Sequence, residues 1–401
     1  MAPKKTYSGF KSYQYLEPVA DYRAFKLAKE VNRVAPYAYP VTAEQEKTVQ
    51  DILGKDVVIS LHDHISVFPE DLSELFEYIR SGREVTGYEG LSISGIDIVF
   101  ENYMDGTAMI TSEHGWKWTD IIHDLGMRYS DFAHQEMLFK AETIADLYRA
   151  KPEGKIAVVS TIEAATMIEN ELDRLDVLYG FGVRVMGITY SEANSLGAGL
   201  RESSDGGLTD FGRQAVKRMN KLGITIDTSH CGDKTGADAI EASTKPTFIT
   251  HAGARALWDS NRLKPDWVLK LCSERGGVIG IEAAPHTTIT QKHPLHDIES
   301  FMEHFEYCAN LCGIDHVAFG PDTLFGDHVG LHHAFAAALS IGATRKRVQV
   351  TEVPYVKGLE NASETFPNIT RWLVKHGYSR EDIAKVLGGN VLRVLKETWA
   401  R

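Results

Sequence analysis

Cysteine is scarce: four residues in a chain of 401. That number excludes a disulfide framework as the source of stability. Cys308 and Cys312 stand four apart in EYCANLC, the spacing of one helical face, and with no other thiols near them in sequence they read as reduced, buried side chains. Long apolar runs are also missing. No stretch approaches the ~18 consecutive apolar residues of a spanning helix, and the opening MAPKKTYSGFKSYQYLE has no apolar core of the secretory kind. The expectation is a cytoplasmic protein that does not enter a membrane. Basic charge is the third deficit. Acidic residues outnumber basic ones, net charge is −12, and no basic tail or stripe offsets it, so nucleic acid is excluded as a partner.

What is present is an ordinary globular composition, 43% hydrophobic and 24% charged, enough for a large core. Beyond residue 50 or so, eight short β-rich runs alternate with segments of helical period. The runs are VVISLHDH (57–64), LSISGIDIVF (91–100), KIAVVSTIE (155–163), VRVMGITY (183–190), TIDTSH (225–230), PTFITHA (246–252), GGVIGIEAA (276–284) and HVAFGPD (316–322). Between them, FGRQAVKRMNKL (211–222) places Phe211, Ala215, Val216, Met219 and Leu222 on one face, and Gly223 ends the helix. Strands alternating with helices pair in parallel. Eight such units without a linker predict an α/β fold, a single (β/α)8 TIM barrel over residues 51–401, with residues 1–50 as an N-terminal extension packed on it.

The polar residues of interest fall at the C-terminal ends of those runs, the face on which barrels of this kind build their sites. In His62-Asp63-His64 the alternation of a strand sends both imidazoles one way and Asp63 the other. Such a pair can ligate a metal, or be two half-exposed residues leaving a strand. Glu163 ends an apolar run, where a carboxylate is costly unless paired with a cation. It could bridge two metals ~3.5–4 Å apart, or form a salt bridge. His230 and His251 close DTSH and FITH; either alone could be a core histidine, but with His62 and His64 they make four imidazoles at one mouth. Asp322, in AFGPD, completes the set as an outer metal ligand, a general base, or both.

These segments make the chain resemble the membrane dipeptidase (renal dipeptidase) family of zinc metallopeptidases, among the amidohydrolase-like barrels. The likeness runs from about residue 57 to the C-terminus. It is most specific in GLTDFGRQAVKRMNKLGITIDTSH (207–230) and continues in THAGARAL (250–257), GIDHVAFGPD (313–322) and GYSREDIAKVLGGNVLRVL (377–395). The resemblance implies two divalent metal ions, zinc in the family, bridged by Glu163, with His62 and His64 on one and His230 and His251 on the other. It implies that Arg262, in SNRLKPD, pairs with a substrate carboxylate, that Asp322 handles protons, and that the chain forms a homodimer. A surface role for Arg262 is the alternative its residue type alone leaves open.

Three positions depart from the family pattern. His64 stands where the family has an aspartate, removing one negative charge from the site. Tyr190, in GITYSEAN, stands where the family has a substrate-contacting histidine, and can donate to an oxyanion without being a cation. GPDTLFG lacks the second aspartate that usually follows two residues on. The cluster His328, His332 and His333 in HVGLHH follows the eighth run and could reach the mouth as a substrate contact, or be a solvated loop or helix start. The expected activity is binuclear-metal-dependent hydrolysis of the amide bond of a small substrate, first of all a dipeptide. The alternatives are a non-peptide amide, ester or lactam cleaved by the same metals, and a silent binding protein on the same barrel.

Overall fold

The computed structural model describes residues 5–103, 117–285, 287–338 and 351–399. Eight parallel strands follow one another around the sheet in chain order: β1 (Ile59–Asp63), β2 (Ile98–Tyr103), β3 (Ile156–Ile162), β4 (Val183–Gly187), β5 (Thr225–Asp227), β6 (Phe248–Ala252), β7 (Val278–Ile281) and β8 (Val317–Phe319). A short strand, Leu138–Lys140, is added alongside β3. The ring is drawn shut at its C-terminal end by two backbone hydrogen bonds, Asp322 N to His62 O and His64 N to Thr323 O, each 3.0 Å. This is the (β/α)8 architecture that the alternation of runs predicts.

Side chains from strands that are not neighbours meet inside the ring. Phe100 on β2 and Phe248 on β6 pack edge to face with centroids 6.0 Å apart, so the interior is a filled core and not a pore. The helices cover the outside for the reasons their sequences give. Helix Asp210–Leu222 is capped by the Thr209 hydroxyl, which accepts from Gly212 N at 2.9 Å. It buries Ala215, Val216 and Met219, and it stops at Gly223, whose φ of +86° favours glycine. Helix Ile298–Cys312 buries Cys308, and all four cysteines are free.

The second run is where expectation and structure part. Residues 91–100 read as a strand, yet Tyr88–Ile93 is helical and the strand is Ile98–Tyr103. The apparent alternation in LSISGID misleads. Tyr88 and Leu91, three apart, are the buried pair, while Ile93 is 52% exposed, a helical pattern. Gly95, at φ +78°, then turns the chain into β2. The shift brings Glu101 and Asn102, not Phe100, to the end of the strand.

At the opposite end of the barrel Lys5 pairs with Asp97 at 2.6 Å, and Lys151 reaches the other oxygen of Asp97 at 3.0 Å. Helix Ala43–Lys55 runs across residue 50 and is clamped to helix Thr365–Lys375 by a two-pronged Arg371–Glu46 contact of 2.8 and 3.0 Å. Among the described residues no helix is long and apolar enough to cross a membrane.

Candidate metal centre

All eight residues singled out from the sequence are buried. His62 and His251 lie within β1 and β6. His64 and Glu163 directly follow β1 and β3, and Tyr190, His230 and Asp322 each sit three residues beyond their strands. The pairing of β1 with β2 shifts register between Ser60 and Asp63, the kind of local irregularity that re-aims side chains at barrel rims. Asp63 turns away, accepting from Ser60 Oγ at 2.6 Å and Thr323 N at 2.8 Å. His62 and His64 turn together toward Asp322, their Nε2 atoms 3.4 and 3.0 Å from its Oδ1.

Across the mouth, Glu163 Oε1 is 2.7 Å from His230 Nε2 and 3.1 Å from His251 Nε2, and those two nitrogens are 3.0 Å apart. The halves are joined by His62 and His251, whose rings stack with centroids 3.4 Å apart. Two groups of convergent ligand atoms result, His62–His64–Asp322 and His62–Glu163–His251. Tyr190 lies flat on His230 at 4.1 Å.

Burial holds the imidazoles of His62, His230 and His251 below the usual histidine range, and so in the neutral form that carries a lone pair. For Asp322 burial alone would raise the carboxyl, but hydrogen bonds from His62 and His64 outweigh it and keep the group well below its ordinary value. Asp322 also adopts φ +59°, in the left-handed region where aspartate is tolerated at some cost. Its N–H bond to His62 O keeps it there.

A supporting layer fixes the tautomer of His251. Thr250 Oγ1 donates to Asp227 Oδ2 at 2.9 Å, and Ser229 Oγ donates to Asp227 Oδ1 at 2.6 Å. A hydroxyl has one proton. With that proton committed to Asp227, Thr250 Oγ1 accepts from His251 Nδ1 at 2.8 Å, which leaves the Nε2 lone pair facing Glu163, the arrangement typical of metal-ligating histidines. Asn102 brings its side-chain amide within 2.6 Å of His62 Nδ1. Gly187 keeps the floor under Glu163 clear, because a Cβ there would fall 1.8 Å from the Glu163 carbonyl oxygen. Neutral imidazoles converging with carboxylate oxygens in two buried groups are a donor set that fits divalent cations.

Arg262 follows β6 and is committed within the protein. Its Nη1 donates to His251 O at 3.0 Å and its Nη2 stands 2.6 Å from Glu282 Oε2. Glu282 was not among the residues read from the sequence, yet a signal was present: the same four residues, Ile-Glu-Ala-Ala, occur at 162–165 and at 281–284. Asp227 and Asn102 went unnoticed because neither is unusual in its local run. His328 and His332 belong to helix His328–Ala338; His328 Nε2 donates to Ala283 O at 3.0 Å, and His332 Nε2 is 3.4 Å from Asp322 O.

The sequence model of the membrane dipeptidase family (Peptidase family M19) matches residues 123–336 and 351–400, more than half of the chain. Curated relatives include Dipeptidase tcpJ of Claviceps purpurea (strain 20.1), 28% identical over 281 residues that cover 69% of this chain and 58% of that protein. Another is Dipeptidase verJ of Clonostachys rogersoniana, 29% identical over 279 residues, 69% of this chain and 63% of that one. The chain thus spans about six tenths of the length of these dipeptidases. An uncharacterized protein in the pqqA 5' region of Klebsiella pneumoniae is 30% identical over 263 residues, 64% of this chain and 87% of that one. Among solved structures, an amidohydrolase from Pseudomonas aeruginosa superposes with a TM-score of 0.70 at 26% identity, covering 88% of this chain and 99% of its own. A metallopeptidase from Rhodobacter sphaeroides, liganded with a phosphinate mimic of the dipeptide L-Ala-D-Ala, shares the fold with a TM-score of 0.66 at 20% identity over 86% of this chain and 99% of its own. With the family model matching across most of the barrel and both clusters of ligand atoms at its mouth, the chain belongs to the membrane dipeptidase family (Peptidase family M19).

Proposed function

We propose that the protein is a metal-dependent hydrolase of small amides, with a dipeptide as the first substrate to test. The observation that carries the reading is the double convergence of His230 and His251 on Glu163 and of His62 and His64 on Asp322. Two divalent cations, zinc in the first instance, would be held by His62, His64, Glu163, His230, His251 and Asp322, and when bound would supply Lewis acidity and lower the pKa of a water to ~7.

The protein's own groups do the rest. Asp322, ionised beside two imidazoles, accepts the proton of the attacking water and delivers it to the departing nitrogen. Tyr190, steadied against His230, offers its hydroxyl to the developing oxyanion. Buried walls around the cluster exclude bulk water from these exchanges. A homodimer, as the family resemblance implies, and a cytoplasmic location, in keeping with four free cysteines, belong to the same reading.

One observation favours the second substrate class, a non-peptide amide, ester or lactam. To hold a dipeptide by its carboxylate, Arg262 would have to exchange Glu282 for the substrate. The test of the general reading is elemental analysis of purified protein together with hydrolysis of a dipeptide and amide panel, before and after chelation. We expect about two zinc-like ions per chain and activity lost on chelation and restored by zinc. Protein that binds no metal, or turnover indifferent to chelator, would refute it.

A further inference from the structure

His62 is common to both groups of convergent ligand atoms, so the form of its ring bears on the whole centre. A neutral imidazole has one proton for two nitrogens. To ligate a cation through Nε2, His62 must leave that nitrogen bare, yet Asp322 Oδ1, 3.4 Å away, draws the proton to that end. Something must hold the proton on Nδ1 instead. Asn102 stands in that place. It lies in the last turn of strand β2, beside β1, and is 4% exposed. One end of its amide is 2.6 Å from His62 Nδ1 and 3.0 Å from Nε2. The other end meets the hydroxyl of Thr161, its partner across the β2–β3 pairing. Resting on the metal reading, we propose that Asn102 is a positioning residue whose amide oxygen accepts from His62 Nδ1 and keeps Nε2 open for a cation.

Thr161 decides which end of the amide faces the imidazole. Its Oγ1 lies 2.8 Å from the backbone oxygen of Glu101, a group that can only accept. An amide oxygen turned to Thr161 would be a second acceptor on the same hydroxyl, which has one proton and cannot serve both. An amide nitrogen there resolves the conflict, because it donates to Thr161 Oγ1 while Thr161 donates to Glu101 O. That chain of donors turns the amide oxygen to His62. A bare Nδ1 would then set lone pair against lone pair at 2.6 Å, whereas a protonated one completes a hydrogen bond. Thr250 acts on His251 by the same logic from β6.

The experiment has two readouts on full-length protein. Nitrogen-15 NMR of metal-free protein with labelled histidine tells a protonated ring nitrogen from a bare one, and loss of signals in His62→Gln identifies those of His62. Competition with a chelator of known affinity gives Kd for zinc. In the wild type we expect His62 protonated at Nδ1 and bare at Nε2. Asn102→Leu, similar in size but without an acceptor, should release the proton toward Nε2 and weaken at least one zinc affinity by ~10–100-fold. Asn102→Asp, which keeps an acceptor toward Nδ1, should retain the wild-type tautomer and an affinity no weaker than wild type, which sets the effect apart from a folding defect. A wild-type His62 protonated at Nε2 overturns the proposal. So does Asn102→Leu with tautomer and zinc affinity unmoved, or Asn102→Asp as impaired as Asn102→Leu. Should the tautomer follow residue 102 as expected while the wild type takes up no zinc, the assignment of Asn102 stands and the metal reading fails.

Discussion

Glu163 holds the Nε2 atom of His230 at 2.7 Å through a single carboxylate oxygen. The same oxygen serves His251, so one anion organises imidazoles from the ends of two strands. Glu163→Gln keeps the shape of the side chain but removes its charge and half its acceptor capacity. We expect zinc content to fall by at least one ion per chain and hydrolysis to fall by at least ~100-fold, given that even the groups behind metal ligands contribute 10–100-fold. Elemental analysis after dialysis, paired with a rate measurement, checks both numbers. Full metal content in the variant would remove Glu163 from the site.

Asp322 presents a different expectation. Its carboxylate is ionised and its backbone is pinned to His62, so Asp322→Asn retains an oxygen toward the cluster and loses the capacity to take up a proton. The rate should drop by roughly 10²–10⁴, the usual contribution of a positioned acid–base group, with less loss of metal than in Glu163→Gln. Rates measured at saturating zinc separate the two effects. A variant with near-normal kcat would move the proton transfer elsewhere.

The cluster of candidate ligands was readable because strand ends and residue types are local properties: four histidines, Glu163 and Asp322 each lie at or near the end of a run that can be found by eye. The groups that support them were not. Asp227 reaches His251 through Thr250, 23 residues away, and Glu282 finds Arg262 only when β6 and β7 are laid side by side. Asn102 lies beyond the run that local pattern marks as the second strand, because Leu91 and Ile93 of the helix Tyr88–Ile93 imitate a strand. Local pattern locates an element; pairing between elements decides what its polar residues touch. Arg262 illustrates the difference: the family resemblance implies a substrate contact, and the pairing of elements adds Glu282 as its spatial neighbour.

Thr250 gives a test of the supporting layer. Thr250→Val is nearly isosteric and keeps the strand, but it deletes the hydroxyl between Asp227 and His251. Zinc affinity should weaken by ~10–100-fold while the protein remains folded. Competition with a chelator of known affinity measures the change, and an unaltered Kd would show that the tautomer of His251 is set by something else.

Arg128 anchors the entrance to the barrel without belonging to the site. Its Nη2 lies 2.9 Å from Glu101 and 3.1 Å from Glu84, and Glu101 is wholly buried at the end of β2, its other oxygen accepting from Ile65 N at 2.8 Å. Arg128→Met preserves much of the volume but removes the cation paired with the buried Glu101 carboxylate, a change that costs about 3–5 kcal/mol. Denaturant unfolding should show that loss. The double variant Arg128→Met with Glu101→Gln should recover part of it, and a single variant as stable as wild type would mean that the network is dispensable.

His304 makes stability depend on pH from outside the candidate ligand cluster, packed against the turn that follows His251. The imidazole is buried in helix Ile298–Cys312, with Nδ1 accepting from Ala254 N at 3.0 Å and Nε2 donating to Ile289 O at 3.3 Å. Burial pulls its pKa down to about 4, against smaller opposing effects of the Ile289 carbonyl and Glu303. Above pH ~6.5, the ordinary histidine value, the folded and unfolded states are both neutral here and stability does not change. Between pH ~6.5 and 4 only the unfolded chain takes up the proton, so stability falls with pH at a slope of one proton. The total is on the order of 3 kcal/mol once the folded pKa is passed. His304→Gln can still accept from Ala254 N but does not titrate. Its stability at pH 8 should be somewhat lower than wild type, whereas its further loss between pH 8 and pH 4.5 should be smaller by roughly 2–3 kcal/mol. Parallel pH profiles for the two proteins would show that His304 already binds its proton in the folded state.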